Sequence, residues 1–128
     1  MVACDRLAEA IARHGERFLA RVFTPAERAY CQGRKREIEH LAGRFAAKEA
    51  VLKVLGTGWR SGIAWSDIEV TNAPSGAPAI RLSGHCRRIA DEQGIGAILI
   101  SISHIETHAI ASAIGLAAEE KTQEPADE

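Results

Sequence analysis

The segment from Leu41 to Gly58, LAGRFAAKEAVLKVLGTG, constrains the fold more than any other part of the sequence. It contains helix-forming residues and no proline, and Gly56 supplies a stop, so the segment predicts a helix. At about 100° per residue, apolar side chains surround nearly the whole helix, which is typical of a helix buried in a core. Four charged side chains interrupt this surface: Arg44, Lys48, Glu49 and Lys53. Charges on a buried helix need partners, so these residues are the first candidates for a functional role.

Two interpretations of these charges stay open on spacing alone. In the first, Glu49 and Lys53 form an ion pair one turn apart, while Arg44 and Lys48 extend to the surface. In the second, the helix borders a cleft in which a carboxylate holds a hard cation and amines hold phosphate groups. The glycine-flanked turn Gly56-Thr57-Gly58 follows directly and would let backbone N–H groups approach an anion.

Length and composition predict one domain over residues 1–116, followed by an acidic, disordered tail over residues 117–128. The 16 Lys and Arg residues nearly balance the 17 Asp and Glu residues, so the net charge gives no argument for nucleic-acid binding. No apolar run is long enough to cross a membrane, and no signal peptide opens the chain. Three widely spaced cysteines without a metal-ligand pattern predict reduced thiols. We therefore expect a soluble cytoplasmic protein.

A row of arginines marks the predicted first helix, which begins near Asp5. These residues recur at seven- and four-residue intervals, so they form a basic stripe along one helix: Arg6, Arg13, Arg17 and Arg21. The stripe is either a solvated face or a docking surface for an acidic partner helix.

The rest of the chain predicts a second helix and then antiparallel strand pairs. The Thr24-Pro25-Ala26-Glu27 capping box begins a helix that ends near Cys31. Further elements follow in order: a strand at residues 63–70, a strand at 78–82, a helix at 83–93, and a hairpin of two strands around residues 104–107. The fold class is therefore α+β, with an antiparallel sheet packed against a long central helix. At the hairpin turn, Ser103 and His104 are either turn residues or donors to the anion expected at the central helix.

Five blocks of the sequence resemble the holo-acyl-carrier-protein synthase family of phosphopantetheinyl transferases. In chain order they are ERFLARVFTPAERAYC, LAGRFAAKEAVLKVLGTG, WSDIEV, NAPSGAPAIRLSG and SISH. The resemblance covers residues 4–116 and implies the 4′-phosphopantetheinyl transferase fold. It implies an Mg²⁺-dependent enzyme of fatty acid biosynthesis that moves the 4′-phosphopantetheine group of coenzyme A onto a serine of apo acyl carrier protein. It also implies a homotrimer with active sites shared between subunits.

The resemblance also implies roles for individual residues. Glu49 corresponds to a metal ligand of the family and, with Lys53, to the catalytic residues. The residues expected to contact coenzyme A share the phosphate-binding motifs: Arg44, Lys48, Lys53, Ser103 and His104. The residues expected to face the acidic carrier protein lie on the arginine stripe: Arg13, Arg17 and Arg21.

One departure from the family lies at the start of the chain. The family's first strand has the form Gly-(Ile/Leu)-(Gly/Thr)-Asp-Ile, and its aspartate is a second metal ligand. This aspartate has no counterpart here, and Asp5 lies too far along the chain to replace it. We therefore expect the first strand to be missing and Mg²⁺ binding to be weaker. Either the start has been placed too late, or the chain is a non-catalytic module that binds coenzyme A and carrier protein.

Overall fold

The computed structural model describes residues 1–58 and 62–119. Its elements follow one another as β1 (Val2–Ala3), α1 (Cys4–His14), α2 (Glu16–Val22), α3 (Pro25–Cys31), α4 (Glu37–Leu55), β2 (Ile68–Asn72), β3 (Pro78–Leu82), α5 (Gly84–Glu92), β4 (Ile95–His104) and β5 (His108–Ala117). Helices fill the first half, and all the strand pairs are antiparallel. The predicted α+β class is confirmed.

Helix α4 lies at the centre of the molecule, as its apolar circumference predicts. It packs against β4 and β5 on one side and against α1, α3 and β2 on others. Leu41 and Ala46 belong to one buried cluster with α1 and α3, while Val51 and Leu55 belong to a second with α5 and β2. Gly56 ends the helix in the left-handed conformation, with φ 74° and ψ 13°. Glycine adopts this conformation without a Cβ penalty.

The strands form two separate sheets. The larger has the order β1-β5-β4, and the smaller is the β2-β3 hairpin. The predicted hairpin around residues 104–107 is confirmed, with Leu99 opposite Ile114 and Ser103 opposite Ile110. One face of this hairpin covers α4. The opposite face carries large apolar side chains that are 43–60% exposed: Leu99, Ile110, Ile114 and Leu116.

The N-terminal segment differs from the prediction in two ways. A first strand is present, although it has only two residues, and Val2 pairs with Ala109. Two residues are too few for an alternating pattern, so no periodicity could predict this strand. The predicted single first helix is instead α1 and α2, separated at Gly15, whose φ is 58° and ψ is −137°. This backbone conformation is readily adopted only by glycine.

Two smaller differences lie elsewhere. Residues Trp65–Asp67 form a 3₁₀ turn before β2, where the pattern predicted a longer strand with an irregularity at Asp67. At the C-terminal end, Ala117 closes β5 and the N–H of Ala118 donates to the carbonyl of Gly94 at 2.7 Å. Strand β5 therefore ends one residue past the predicted boundary at residue 116, and most of the predicted tail, 120–128, lies outside the described residues. Of the helices described, none is long and apolar enough to cross a bilayer.

Candidate active site

Glu49 and Lys53 lie in the C-terminal half of α4, one turn apart. The Glu49 side chain is half-buried and Lys53 is exposed. Across residues 1–58 and 62–119, neither side chain forms a hydrogen bond or ion pair, and the Glu49–Lys53 ion pair that spacing allows is absent. A carboxylate and an ammonium group therefore stand side by side without partners, where an external ligand can reach both.

Lys48 occupies a different environment from the one expected of a phosphate contact. Its side chain is 0% exposed, and Nζ lies 2.8 Å from Oε1 of Glu27. Nζ also donates to the carbonyl oxygens of Trp65, at 3.2 Å, and Ile68. An ammonium group has three N–H donors, and these three acceptors match all of them. The prediction that Lys48 contacts phosphate is therefore corrected: Lys48 is part of the core.

Glu27 is the partner that makes this burial possible. Its Oε1 accepts the N–H of Thr24 at 2.9 Å and its Oε2 accepts the N–H of Val70 at 2.7 Å. The predicted capping box at Thr24 is confirmed, and its carboxylate also joins α3 to α4 and β2. Burial lowers the pKa of the Lys48 ammonium, while the Glu27 carboxylate opposes that change.

Arg44 lines a cavity of 160 Å³ beside α4. Its side chain is only 5% exposed, and Nη2 donates to Oδ1 of Asn72 at 2.5 Å. Within the described ranges, its buried Nε has no hydrogen-bond partner. Tyr30, His40 and His104 lie in the wall of the same cavity. Arg44 therefore supplies a fixed positive charge to a small polar space between α3, α4 and β4.

His104 is held at the edge of this cavity by a buried carboxylate. Its Nδ1 lies 2.8 Å from Oε1 of Glu39, which is 8% exposed. Because an ionised carboxylate can only accept, Nδ1 of His104 carries the proton of this hydrogen bond. The His40 ring lies 5.2 Å from the His104 ring, and burial, followed by the charges of His104 and two arginines, lowers the pKa of His40. Ser103 is exposed on the outer face of β4.

The predicted residues fall into two groups within one chain. His104 contacts Glu39 in the first turn of α4, whereas Glu49 lies ten residues further along this helix. At 1.5 Å per residue, this separates the two places by about 15 Å along the helix axis. One chain therefore brings Arg44 and His104 to the same cavity, and holds Glu49 and Lys53 apart from His104.

The arginines predicted to face a carrier protein are exposed, but they do not share one helix. Arg13 is in the last turn of α1, while Arg17 and Arg21 are on α2. The change of direction at Gly15 therefore sets the geometry of this basic surface.

Sequence reasoning missed Tyr30, His40 and Asn72 in the cavity wall and Glu27 as the partner of Lys48. The local pattern predicts the helix of Tyr30 and the turn of Asn72, but it carries no signal that these meet Arg44. The sequence predicted only a capping role for Glu27, because its ion-pair partner Lys48 lies 21 positions away in sequence. Such contacts depend on tertiary packing.

Glu49 is the residue best suited to hold a hard cation. Among the described residues, no group of three or more His, Cys, Asp and Glu side chains is arranged for a metal ion. Mg²⁺, however, is commonly bound through one or two carboxylates, substrate phosphates and several waters. A half-buried carboxylate without a protein partner beside an exposed lysine fits this mode.

Comparison with known proteins shows the family to which this chain belongs. Residues 1–113 match the family model described as the 4′-phosphopantetheinyl transferase superfamily. The chain is 47% identical over 116 residues to the holo-[acyl-carrier-protein] synthase of Desulforudis audaxviator, covering 91% of this chain and 88% of that relative. It is 48% identical, with the same coverage, to the synthase of the same name from Moorella thermoacetica.

A solved structure agrees as well. The crystal structure of Helicobacter pylori holo-[acyl-carrier-protein] synthase in complex with coenzyme A superposes with a TM-score of 0.79 at 31% identity. The match covers 90% of this chain and 95% of that one. With a family model that spans nearly the whole chain and relatives close to half identical, this chain belongs to the 4′-phosphopantetheinyl transferase superfamily.

Proposed function

We propose that this chain is a holo-acyl-carrier-protein synthase, which transfers the 4′-phosphopantetheine group of coenzyme A to a serine of apo acyl carrier protein. The observation that carries the proposal is the pair of opposite charges, Glu49 and Lys53, one turn apart on α4, whose side chains have no partner among the described residues. The names of the relatives across about nine-tenths of their length support the same activity. The product, holo acyl carrier protein, is used in fatty acid synthesis.

Coenzyme A is the proposed phosphopantetheine donor. The Helicobacter pylori relative is in complex with coenzyme A, and the Arg44 cavity offers a fixed guanidinium to a phosphate group. His104 lies at the edge of this cavity and Ser103 precedes it on β4. Lys53 is free to contact the pyrophosphate near Glu49.

Glu49 and Lys53 each have a defined role in the proposed reaction. The serine oxygen forms a bond to the β-phosphorus of coenzyme A, and the bond from that phosphorus to the oxygen bridging the two phosphates breaks. Adenosine 3′,5′-bisphosphate leaves, and the serine proton is lost. Lys53 holds the phosphate oxygens in line, and the Glu49 carboxylate is placed to accept the serine proton directly or through water.

We further propose that Glu49 holds Mg²⁺ together with the coenzyme A phosphates. When bound, the ion neutralises charge that develops on the phosphate oxygens during transfer. The carboxylate is hard, half-buried and free of protein partners over the described ranges, as this role requires.

Carrier protein and a second copy of this chain are the proposed macromolecular partners. The exposed Arg13, Arg17 and Arg21 give a basic surface that suits an acidic carrier. The exposed apolar face of β4 and β5 suits burial against another subunit, and a homotrimer with shared sites would bring one subunit's Ser103–His104 to its neighbour's Glu49. A cytoplasmic location fits the free, buried thiols of Cys4, Cys31 and Cys86.

The test is the mass of apo acyl carrier protein after incubation with this chain, coenzyme A and Mg²⁺. We expect a gain of one phosphopantetheine, which chelation of Mg²⁺ abolishes. Glu49→Gln keeps the shape of the side chain but removes its charge, so it should slow transfer by about 100-fold or more. Arg88→Gln, at an exposed position of α5, is the control and should keep the wild-type rate.

The same experiment separates the enzyme from a non-catalytic binding module. A second preparation carries an added N-terminal Gly-Ile-Asp segment that supplies the family's other carboxylate. Coenzyme A binding without a mass gain in both preparations would refute the transferase and support the binding module. A gain only in the extended preparation would show that transfer needs the second carboxylate.

A further inference from the structure

Two guanidinium groups flank the ring of Tyr30 on α3. Cζ of Arg34 and Cζ of Arg44 each lie 4.0 Å from the centre of this ring. Two guanidinium groups do not fit over one face at that distance, so they lie on opposite faces. The His40 ring also makes a T-shaped contact with Tyr30, with 5.9 Å between ring centres. Tyr30 is thus the centre of a positively charged stack.

Arg34 and Arg44 differ in what surrounds them. Arg34 is exposed, and its Nε donates a hydrogen bond to the backbone carbonyl of Tyr30 at 2.5 Å. Arg44 is 95% removed from solvent and faces the 160 Å³ cavity. Within residues 1–58 and 62–119, neither guanidinium forms an ion pair with a carboxylate. The stack therefore carries positive charge that no described protein group neutralises, which suits an anionic ligand.

The orientation of Arg44 is set by contacts in two directions. Asn72 accepts a hydrogen bond from Nη2 in the plane of the guanidinium, and Tyr30 packs against its face. The in-plane bond alone leaves the group free to tilt about the Nη2–Oδ1 line. The aromatic ring removes that freedom, and the ring quadrupole stabilises the charge where water is largely excluded. Arg44 is then held at a fixed angle in the wall of the cavity, and its buried Nε has no hydrogen-bond partner in the described part of the chain.

We propose that Tyr30 is a positioning residue, whose ring holds Arg44 at the angle that binds a phosphate group of coenzyme A. The inference rests on the proposed function and adds a determinant of coenzyme A affinity that lies outside the motif of α4. Tyr30 acts through Arg44, and its aromatic ring rather than its hydroxyl makes the contact that positions the guanidinium.

The test compares Tyr30→Phe with Tyr30→Leu in steady-state transfer to apo acyl carrier protein. Tyr30→Phe keeps the ring, so its KM for coenzyme A should stay within about twofold of the wild-type value. Tyr30→Leu removes the ring, so this KM should rise by about tenfold, while kcat and the KM for carrier protein change by less than about threefold. Equal KM values for the two variants would overturn the proposal.

A double-mutant cycle tests whether Tyr30 acts through Arg44. In an Arg44→Gln background, Tyr30→Leu should raise the KM for coenzyme A no further, because the group it positions is gone. Equal effects of Tyr30→Leu in both backgrounds would show that Tyr30 acts independently, and would overturn the proposal.

Two controls keep the result unambiguous. Thermal unfolding of each variant reports whether it folds, and Tyr30→Met replaces Tyr30→Leu with the same expectation if the latter does not fold. Absence of transfer by the wild-type chain would contradict the proposed function itself. Wild-type transfer with Tyr30→Leu matching Tyr30→Phe would contradict only the role of Tyr30.

Discussion

At the residue scale, Lys48 and Lys53 show how the same side chain serves two purposes on one helix. Lys48 is fully buried, and its ammonium group contacts Glu27 and two carbonyl oxygens. Lys53 is exposed and has no ion-pair partner over the described ranges. We infer that Lys48 joins α3, α4 and β2, while Lys53 remains available to the coenzyme A phosphates.

Substitution by methionine should separate these two roles. Lys48→Met leaves the Glu27 carboxylate buried without its counter-ion, so the free energy of unfolding should fall by about 3–5 kcal/mol. Lys53→Met should change it by less than about 0.5 kcal/mol, because the side chain is exposed, but should slow transfer by about 100-fold. Urea unfolding and the transfer assay measure the two effects on the same preparations.

Removing the charge of the Glu27 carboxylate is the control for Lys48→Met. Adding Glu27→Gln to Lys48→Met should restore part of the lost stability, because it removes the buried negative charge, although the single amide oxygen can accept from only one of the N–H groups of Thr24 and Val70. A double variant less stable than Lys48→Met would contradict the assignment of the loss to a buried unpaired carboxylate.

At the scale of elements, Gly15 determines how the basic surface is presented. It separates α1, which carries Arg13, from α2, which carries Arg17 and Arg21. A Cβ added at Gly15 would have no atom within 4 Å, so only backbone strain opposes a larger residue. Gly15→Ala should therefore lower the free energy of unfolding by about 1–3 kcal/mol. It should also raise the KM for carrier protein, because the chain relieves strain by changing the angle between the helices.

Gly33→Ala is the matched control for this prediction. Gly33 also has positive φ, 77°, and open space around its Cα, but it lies between α3 and α4. Its substitution should cost stability without changing the KM for carrier protein. If both variants changed this KM equally, the effect would reflect general destabilisation rather than helix orientation.

Elements with a strong local signal could be predicted from the sequence. The Thr24 capping box begins α3, the apolar circumference identifies α4, and alternating isoleucines identify β4. The motif that contains Glu49 and Lys53 lies on this predicted helix α4. In each case, the physical determinant lies within a few residues of the element it shapes.

Features that depend on contacts distant in sequence could not be predicted. The Lys48–Glu27 pair joins two helices, so the same motif that indicated a phosphate contact at Lys48 could not reveal its burial. Likewise, the Arg44 cavity forms only when Tyr30 and Asn72 reach α4 through packing. The break between α1 and α2 could not be predicted for another reason. Glycine is tolerated within helices, and only the backbone angles of Gly15 show that it interrupts one.

At the scale of the whole molecule, the proposed homotrimer would account for both the exposed apolar face and the separation of the site residues. The outer face of β4 and β5 exposes four large apolar side chains on neighbouring positions: Leu99, Ile110, Ile114 and Leu116. Ser103 and His104 lie at one end of the same hairpin, about 15 Å along α4 from Glu49. Packing this face against another subunit would bury the apolar surface and could complete the site across the interface.

A charge placed on this face should therefore abolish both assembly and activity. Ile114 is 60% exposed in one chain, so Ile114→Lys should leave the subunit folded but bury an unpaired ammonium group in the assembly. Light scattering should give three times the chain mass of 13.8 kDa for the wild type and the single-chain mass for the variant. Transfer should fall together with the mass, because in the proposed trimer Glu49 would lose the His104 of a neighbouring subunit. Glu92→Lys, at an exposed position of α5, should retain both properties. A monomeric Ile114→Lys variant with wild-type transfer would show that one chain contains the complete site.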